Sequence, residues 1–191
     1  MKFALPAFAA LAAVLSVSPV LAADPASAPS SPVPALLQDL AKYQDAEKTT
    51  AKNIDTFDTL DFDVYTHQKW DRLGESHAQD ILVHYPDGHT SKGLHDHIEE
   101  LKPMFVFAPD TRIEQHPVKF GQGEWTAVIG VLEGTFSQPM QIGGGKTIAP
   151  TGKPFKLTMA TIGHWTKAGV MDEEYLFWDN ADFMKQIGLG H

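Results

Sequence analysis

The second half of the chain constrains the fold most. After Pro109-Asp110, residues 112–120, 124–138, 154–167 and 170–178 are long segments rich in β-branched and aromatic side chains. Short glycine-bearing turns divide them: Gly121-Gln122-Gly123, Gly143-Gly144-Gly145 and Lys167-Ala168-Gly169. Consecutive strands joined this way form an antiparallel meander. The first half is helical in pattern. Leu36, Leu37, Leu40 and Tyr43 predict a helix from Pro34 to about Lys52. Ile54, Phe57, Leu60, Phe62 and Val64 predict a second, and Trp70 with Leu73 a short third within 69–78. Residues 80–85 read as a strand stopped by Pro86-Asp87-Gly88, and residues 91–107 as a helix carrying Leu94, Ile98, Leu101 and Phe105. Helices first and strands later is an α+β order, with N-terminal helices packed on one face of a strongly curved antiparallel sheet. The concave side of such a sheet is a natural pocket.

Residues 1–23 carry one lysine, an apolar run broken at Pro19 and a small-residue end, the pattern of a secretory signal peptide. Residues 24–35 are rich in proline, serine and alanine and read as a flexible linker. Residues 36–191 are then a single domain of about 155 residues. A periplasmic or secreted protein follows, with no stable membrane insertion after cleavage. The chain has no cysteine, so neither disulfides nor thiolate chemistry are available. A net charge of −9, with no cluster of Lys or Arg, argues against nucleic acid as a partner.

The run Gly169-Val170-Met171-Asp172-Glu173-Glu174-Tyr175-Leu176-Phe177-Trp178-Asp179-Asn180, followed by Gln186-Ile187-Gly188-Leu189, resembles the ending of SnoaL-like proteins. These are polyketide cyclase relatives in the NTF2-like superfamily. Ala108-Pro109-Asp110, Glu133-Gly134-Thr135 and Pro150-Thr151-Gly152-Lys153-Pro154 match in order, so the resemblance spans roughly residues 50–190. It implies an NTF2-like α+β cone, often a homodimer through the outer sheet face. The characterised cyclases close a polyketide ring by aldol condensation without metal or organic cofactor. An Asp of the last strand is their acid/base, with a His on the neighbouring strand. Here the resemblance puts Leu176 at the Asp position, Glu174 two residues earlier, and Ile162, with His164 two residues on, near the His position.

Alternate strand residues share a face. On that alignment Glu174, Leu176 and Trp178 line the cone, and His164 joins them from the adjacent strand with Thr158 and Ile162. Glu174 and His164 are then the candidate acid/base pair, against a structural reading of a salt bridge at the mouth and a backbone-bonded His. His84, alternating with Leu82, is the candidate auxiliary donor. Glu133 is either a second pocket acid or an outer-face group, because a carboxylate in so apolar a strand needs a partner or water. Trp125, Trp178 and Tyr85 are candidate pocket walls.

His84, His89, His95 and His97 invite a metal reading, but residues two apart on a helix do not share a face. They are therefore read as a solvated set, with no metal or cofactor expected. Gly143-Gly144-Gly145-Lys146-Thr147 lacks the spacing of a phosphate loop and reads as a flexible hairpin. The functional expectation is an exported protein enclosing a small, largely apolar, carbonyl-containing ligand, with cofactor-free aldol or isomerase chemistry. The alternatives are a non-catalytic binding module and a histidine-based metal-binding protein.

Overall fold

The computed structural model describes residues 32–190. The expected signal peptide lies outside the described residues, as does the expected linker up to Ser31; Val33–Ala35 already belong to the first helix. Helix α1, Val33–Thr59, is one continuous helix where two were expected. No Gly or Pro interrupts it after Pro34. In its first half Leu36, Leu37, Leu40 and Tyr43 are exposed among the described residues; burial starts at Thr50, Asn53 and Phe57. The helix then widens into a π-helical turn, Leu60–Tyr65, which buries Leu60, Asp61, Val64 and Tyr65. A 3-10 turn, Trp70–Glu75, follows and buries Leu73. Among the described residues no helix is long and apolar enough to cross a membrane.

Strand β1 (His77–His84) leads through β2 (Thr90–Lys92) into α2 (Leu94–Phe107). The expected 112–120 strand is split into β3 (Arg112–Ile113) and β4 (Val118–Gln122), with His116-Pro117 in the gap, because a proline cannot donate to the ladder. β5 (Trp125–Thr135), β8 (Pro154–Trp165) and β9 (Met171–Phe177) are the long strands. The glycine triplet lies in a separate hairpin, β6 (Met140–Gln141) and β7 (Thr147–Ile148). α3 (Asn180–Gln186) ends the described chain, capped by the Asp179 side chain at Ala181 N and Asp182 N.

The main sheet runs β2-β1-β9-β8-β5-β3, with β4 also on β5. Every pairing is antiparallel except β1 with β9, which is parallel. Near the start of β9 the register against β8 slips: Trp165 pairs with Met171, but His164 pairs with Glu173. This bulge leaves Asp172 and Glu173 on the same side of the sheet and returns Glu174 to the buried side. Two core clusters fill the inner face. One gathers Phe105, Phe107, Phe136, Phe155 and Ile187; the other gathers Phe57, Leu73, Ile81, Val83, Trp165 and Met171. The Trp165 indole is buried with its N–H donated to Thr126 Oγ1 at 2.8 Å.

Helix α1 reaches the sheet at the β4–β5 hairpin, where Thr50 donates to the Gly123 carbonyl. Gly121 makes that approach possible, since a Cβ there would lie 2.5 Å from the Trp125 carbonyl and 2.7 Å from Thr50 Cγ2. Gly121→Ala should therefore cost about 1–3 kcal/mol of stability, the usual range for overpacking. Urea unfolding of the variant beside the wild type measures it.

Candidate functional site

Between the two core clusters lies a chamber of about 560 Å³, lined by Phe57, Leu60, Leu73, Leu101, Met104, Phe107, Leu132 and Leu157 among others. That volume suits a small organic ligand. Most of its wall is apolar, and its buried charged or titratable side chains fall at two places, each built on a local irregularity of the fold.

The first polar place is carried by β9, β1 and α2. Glu174 is 4% exposed and points inward with Leu176 and Trp178, one pleat apart. Parallel pairing sets Val83 beside Glu174, and His77 enters from the start of β1. His97 comes from the inner face of α2, one helical step before Leu101. His77 Nε2 is 3.7 Å and His97 Nε2 3.6 Å from Glu174 Oε2, both beyond hydrogen-bond reach. The two rings lie 5.2 Å apart. Behind them, His77 Nδ1 meets Ser76 Oγ at 2.9 Å and the Leu73 carbonyl at 3.3 Å, and His97 Nδ1 meets the Tyr85 hydroxyl at 3.0 Å.

The tautomer of His77 follows from its partners. The Ser76 hydroxyl donates to the Leu73 carbonyl, so both neighbours of Nδ1 are acceptors and Nδ1 carries the hydrogen. Nε2 then presents a lone pair to a carboxylate oxygen, and neither His77 Nε2 nor Glu174 Oε2 has a hydrogen-bond partner. Burial opposes a charge on Glu174; a proton on His77, and secondarily on His97, is what would hold the carboxyl below its ordinary value. Burial also keeps His97 neutral, with a pKa lowered to about 4. Burial, then the Glu100 carboxylate, pushes the Tyr85 phenol well above its usual range.

The second polar place is Asp61, in the π turn. Its Oδ2 lies 2.8 Å from His116 Nε2, and His116 Nδ1 lies 2.8 Å from Asp58 Oδ1, while the other oxygen of Asp58, Oδ2, accepts from Lys119. The His116 imidazole is 1% exposed, between Phe57 and Phe62. Burial raises Asp61, and burial alone would depress His116, but the two carboxylates hold it above its ordinary 6.5. Whether the proton resides on the carboxyl or on the imidazolium, it lies in the same Asp61–His116 contact. This place therefore holds a proton, whereas the other presents a buried carboxylate oxygen without a hydrogen-bond partner.

The bulge overturns the expected Glu174–His164 pairing. Without it Glu174 would face Ile162; with it, Gly163 is the partner of Glu174 and His164 that of Glu173. His164 lies on the outer face, its Nδ1 2.6 Å from Asp172, with its ring against the half-exposed Trp125. Thr158 and Ile162 share that outer face and are exposed, so neither they nor Trp125 line the chamber. His84 is outside as well: Ile81 and Val83 take the inner positions, and His84 stacks on Tyr175 and meets Glu173 at 3.0 Å. Glu133 is an outer-face group paired with Arg112 and Lys156, each at 2.9 Å. Tyr85, Leu176 and Trp178 do line the chamber with Glu174. The histidine run divides: His95 is exposed, whereas His97 is 2% exposed and inside. His77, Asp61 and His116 were not singled out in the sequence. Asp61 lies four residues from both Phe57 and Tyr65, a spacing that carried the signal.

Helices on the inner face of an antiparallel-rich sheet, around a chamber with two polar poles, define the NTF2-like class of α+β cones. The sequence model of the SnoaL-like polyketide cyclase family matches residues 58–187, and the chain belongs to that family. Solved structures with the same fold include IdmH from Streptomyces antibioticus, a candidate polyketide cyclase. It is 23% identical, with 71% of this chain and 98% of that one covered and a TM-score of 0.61. A candidate SnoaL-like polyketide cyclase from Jannaschia sp. CCS1 is 18% identical, with 74% and 95% covered and a TM-score of 0.63. An NTF2-like protein of unknown function from Burkholderia pseudomallei is 15% identical, with 72% and 98% covered and a TM-score of 0.57. Among proteins with curated descriptions, none matches significantly.

The proton held by Asp61 and His116 has a consequence for stability. A group whose folded pKa is raised contributes stability that is complete below its unfolded pKa and is lost as pH climbs through the folded one. Both members are raised, so their contribution to the unfolding free energy should fall as pH climbs above 3.8 for the carboxyl and above 6.5 for the imidazole. An Asp61→Asn/His116→Gln double variant, which removes both holders of the proton, should have a flatter profile. Urea midpoints of the two proteins across that range test it.

Proposed function

We propose that this chain is an exported SnoaL-like protein that encloses a small, largely apolar, carbonyl-containing ligand and transfers a proton next to the carbonyl. The observation that carries the reading is the opposition of the two poles within one chamber. Asp61–His116 holds a proton, while the atoms of Glu174 and His77 that face each other have no hydrogen-bond partner. With the ligand's carbonyl oxygen at the Asp61 pole, the Glu174 pole takes the hydrogen from the adjacent carbon and the Asp61–His116 pair donates to the oxygen. The product is an enol, which returns to a ketone as an isomer or attacks a second carbonyl in an aldol closure. The apolar wall favours this by excluding water and strengthening each polar contact. Trp178 and Tyr85 supply aromatic surface for a flat ligand.

The reading includes a homodimer through the outer sheet face. Phe120, Trp125, Ile162 and Phe177 are exposed there, and a second copy would cover them.

The test is hydrogen–deuterium exchange at the α-carbon of small cyclic ketones in D₂O, followed by NMR. The wild type should accelerate exchange over buffer. Asp61→Asn should lower the acceleration about 10²–10⁴-fold, the usual scale of one acid/base group. A ketone that binds, by native mass spectrometry, but exchanges no faster than in buffer would identify a binding module instead.

A further inference from the structure

We propose that His77, His97 and Glu174 form a binding site for one divalent first-row transition metal ion, zinc or iron(II) in class. The inference deepens the proton-transfer reading, because it names what the acceptor pole holds, and it rests on different observations.

The three side chains are buried, and one potential ligand atom from each lies within 4.8 Å of the others. Two imidazoles with one carboxylate are a common donor set for zinc and for non-haem iron, and both leave positions open for other ligands. The spacing fits. Two ligand atoms each about 2.1 Å from a tetrahedral ion lie about 3.4 Å apart, and the Nε2–Oε2 separations here are 3.7 and 3.6 Å. A shift of a few tenths of an ångström brings each imidazole to that separation from the carboxylate, and the two imidazole nitrogens, within 4.8 Å of each other, close by up to about 1.4 Å.

The tautomers fit as well. Ser76 and Leu73 fix the hydrogen of His77 on Nδ1, which leaves Nε2 as an electron-pair donor. Tyr85 can accept the Nδ1 hydrogen of His97 in the same manner. A hydrogen-bonded distal nitrogen of this kind orients a histidine ligand and raises its basicity. His77 Nε2 and Glu174 Oε2 are buried acceptors without partners, facing each other across a gap too long for a hydrogen bond. A cation between them removes that defect. The chamber reaches the surface at the exposed residues His89, Glu99 and Glu100, which gives an ion a route in. With the three side chains holding an ion, Glu174 would serve as a ligand, and the ion would lower the pKa of a bound water that could replace it as the base once deprotonated, while Asp61–His116 remains the donor.

The chain should be stripped with chelator and titrated with Zn²⁺ by calorimetry and with Co²⁺ by visible absorption. The expected result is one ion per chain, with tetrahedral or five-coordinate cobalt bands. His97→Gln and Glu174→Gln should each weaken binding at least 100-fold, and Tyr85→Phe, acting through His97, about 10–100-fold. Circular dichroism and urea unfolding confirm that each variant is folded. Absence of stoichiometric Zn²⁺ and Co²⁺ binding in the wild type overturns the proposal. So does binding that survives Glu174→Gln but is lost in His89→Gln, which would place the ion at the surface. Asp61→Asn separates the two readings. Metal binding retained in that variant, with its ketone exchange unchanged, would remove the proton-transfer role and leave the metal site. Exchange lost in Asp61→Asn, without metal binding in the wild type, would do the opposite.

Discussion

Asp172 and Glu173 stand on the same side of β9, and the inward placement of Glu174, with the outward placement of both preceding acids, depends on that irregularity. A strand without the bulge would turn Glu174 towards Ile162 and His164. With it, the two acids before Glu174 pair with outer-face partners, Asp172 with His164 and Glu173 with His84 and Tyr175. Glu174 enters the chamber alone. The parallel pairing of β1 with β9 then sets the buried start of β1, with His77, beside it. One extra residue thus sorts three consecutive carboxylates into two that are partly solvated and one that is buried.

Burying two carboxylates in an apolar chamber is unfavourable unless each is compensated. The chain compensates them differently. Asp61 shares a proton with His116, and Asp58 with Lys119 secures the far side of that imidazole. Glu174 faces two imidazoles that do not reach it. The first arrangement is complete within the protein and suits a proton store. The second is incomplete, and a pole with unsatisfied acceptors binds whatever brings positive charge or hydrogen.

The α+β order, the glycine turns and the family ending were legible because they depend on local chemistry. Within β9 the pleat correctly grouped Glu174, Leu176 and Trp178. Across strands the same logic failed at His164, since a bulge costs one residue and leaves no composition signal. The split at His116-Pro117 was visible in the proline, yet the imidazole before it gave no hint of Asp58 and Asp61, more than fifty residues away. His97 was hidden by its neighbour His95, although the step to Leu101 marks it as inward. Asp61 was hidden because the helical pattern was read through its apolar residues only. The apolar stripe from Leu36 to Tyr43 predicted the helix but not its partner, since periodicity specifies a face and not what covers it.

Leu176 occupies the position where the resemblance to the cyclases expects the acid/base Asp, and Glu174 precedes it by one pleat on the same face. Two residues along a strand are about 7 Å. The carboxylate has therefore moved towards the start of β9, to the place where β1 brings His77 and α2 brings His97. The vacated position is apolar and, with Trp178, extends the hydrophobic wall. A displacement of that size exceeds the tolerance of a proton transfer, which needs its atoms within hydrogen-bond reach. On the proposed proton-transfer reading, the ligand's acidic carbon would lie deeper along β9 than in a cyclase with Asp at the later position. On that reading the donor need not come from the strand next to β9, because the π turn brings Asp61 into the same chamber. Membership of the family thus fixes the chamber, and the one-pleat displacement changes which groups inside it can meet.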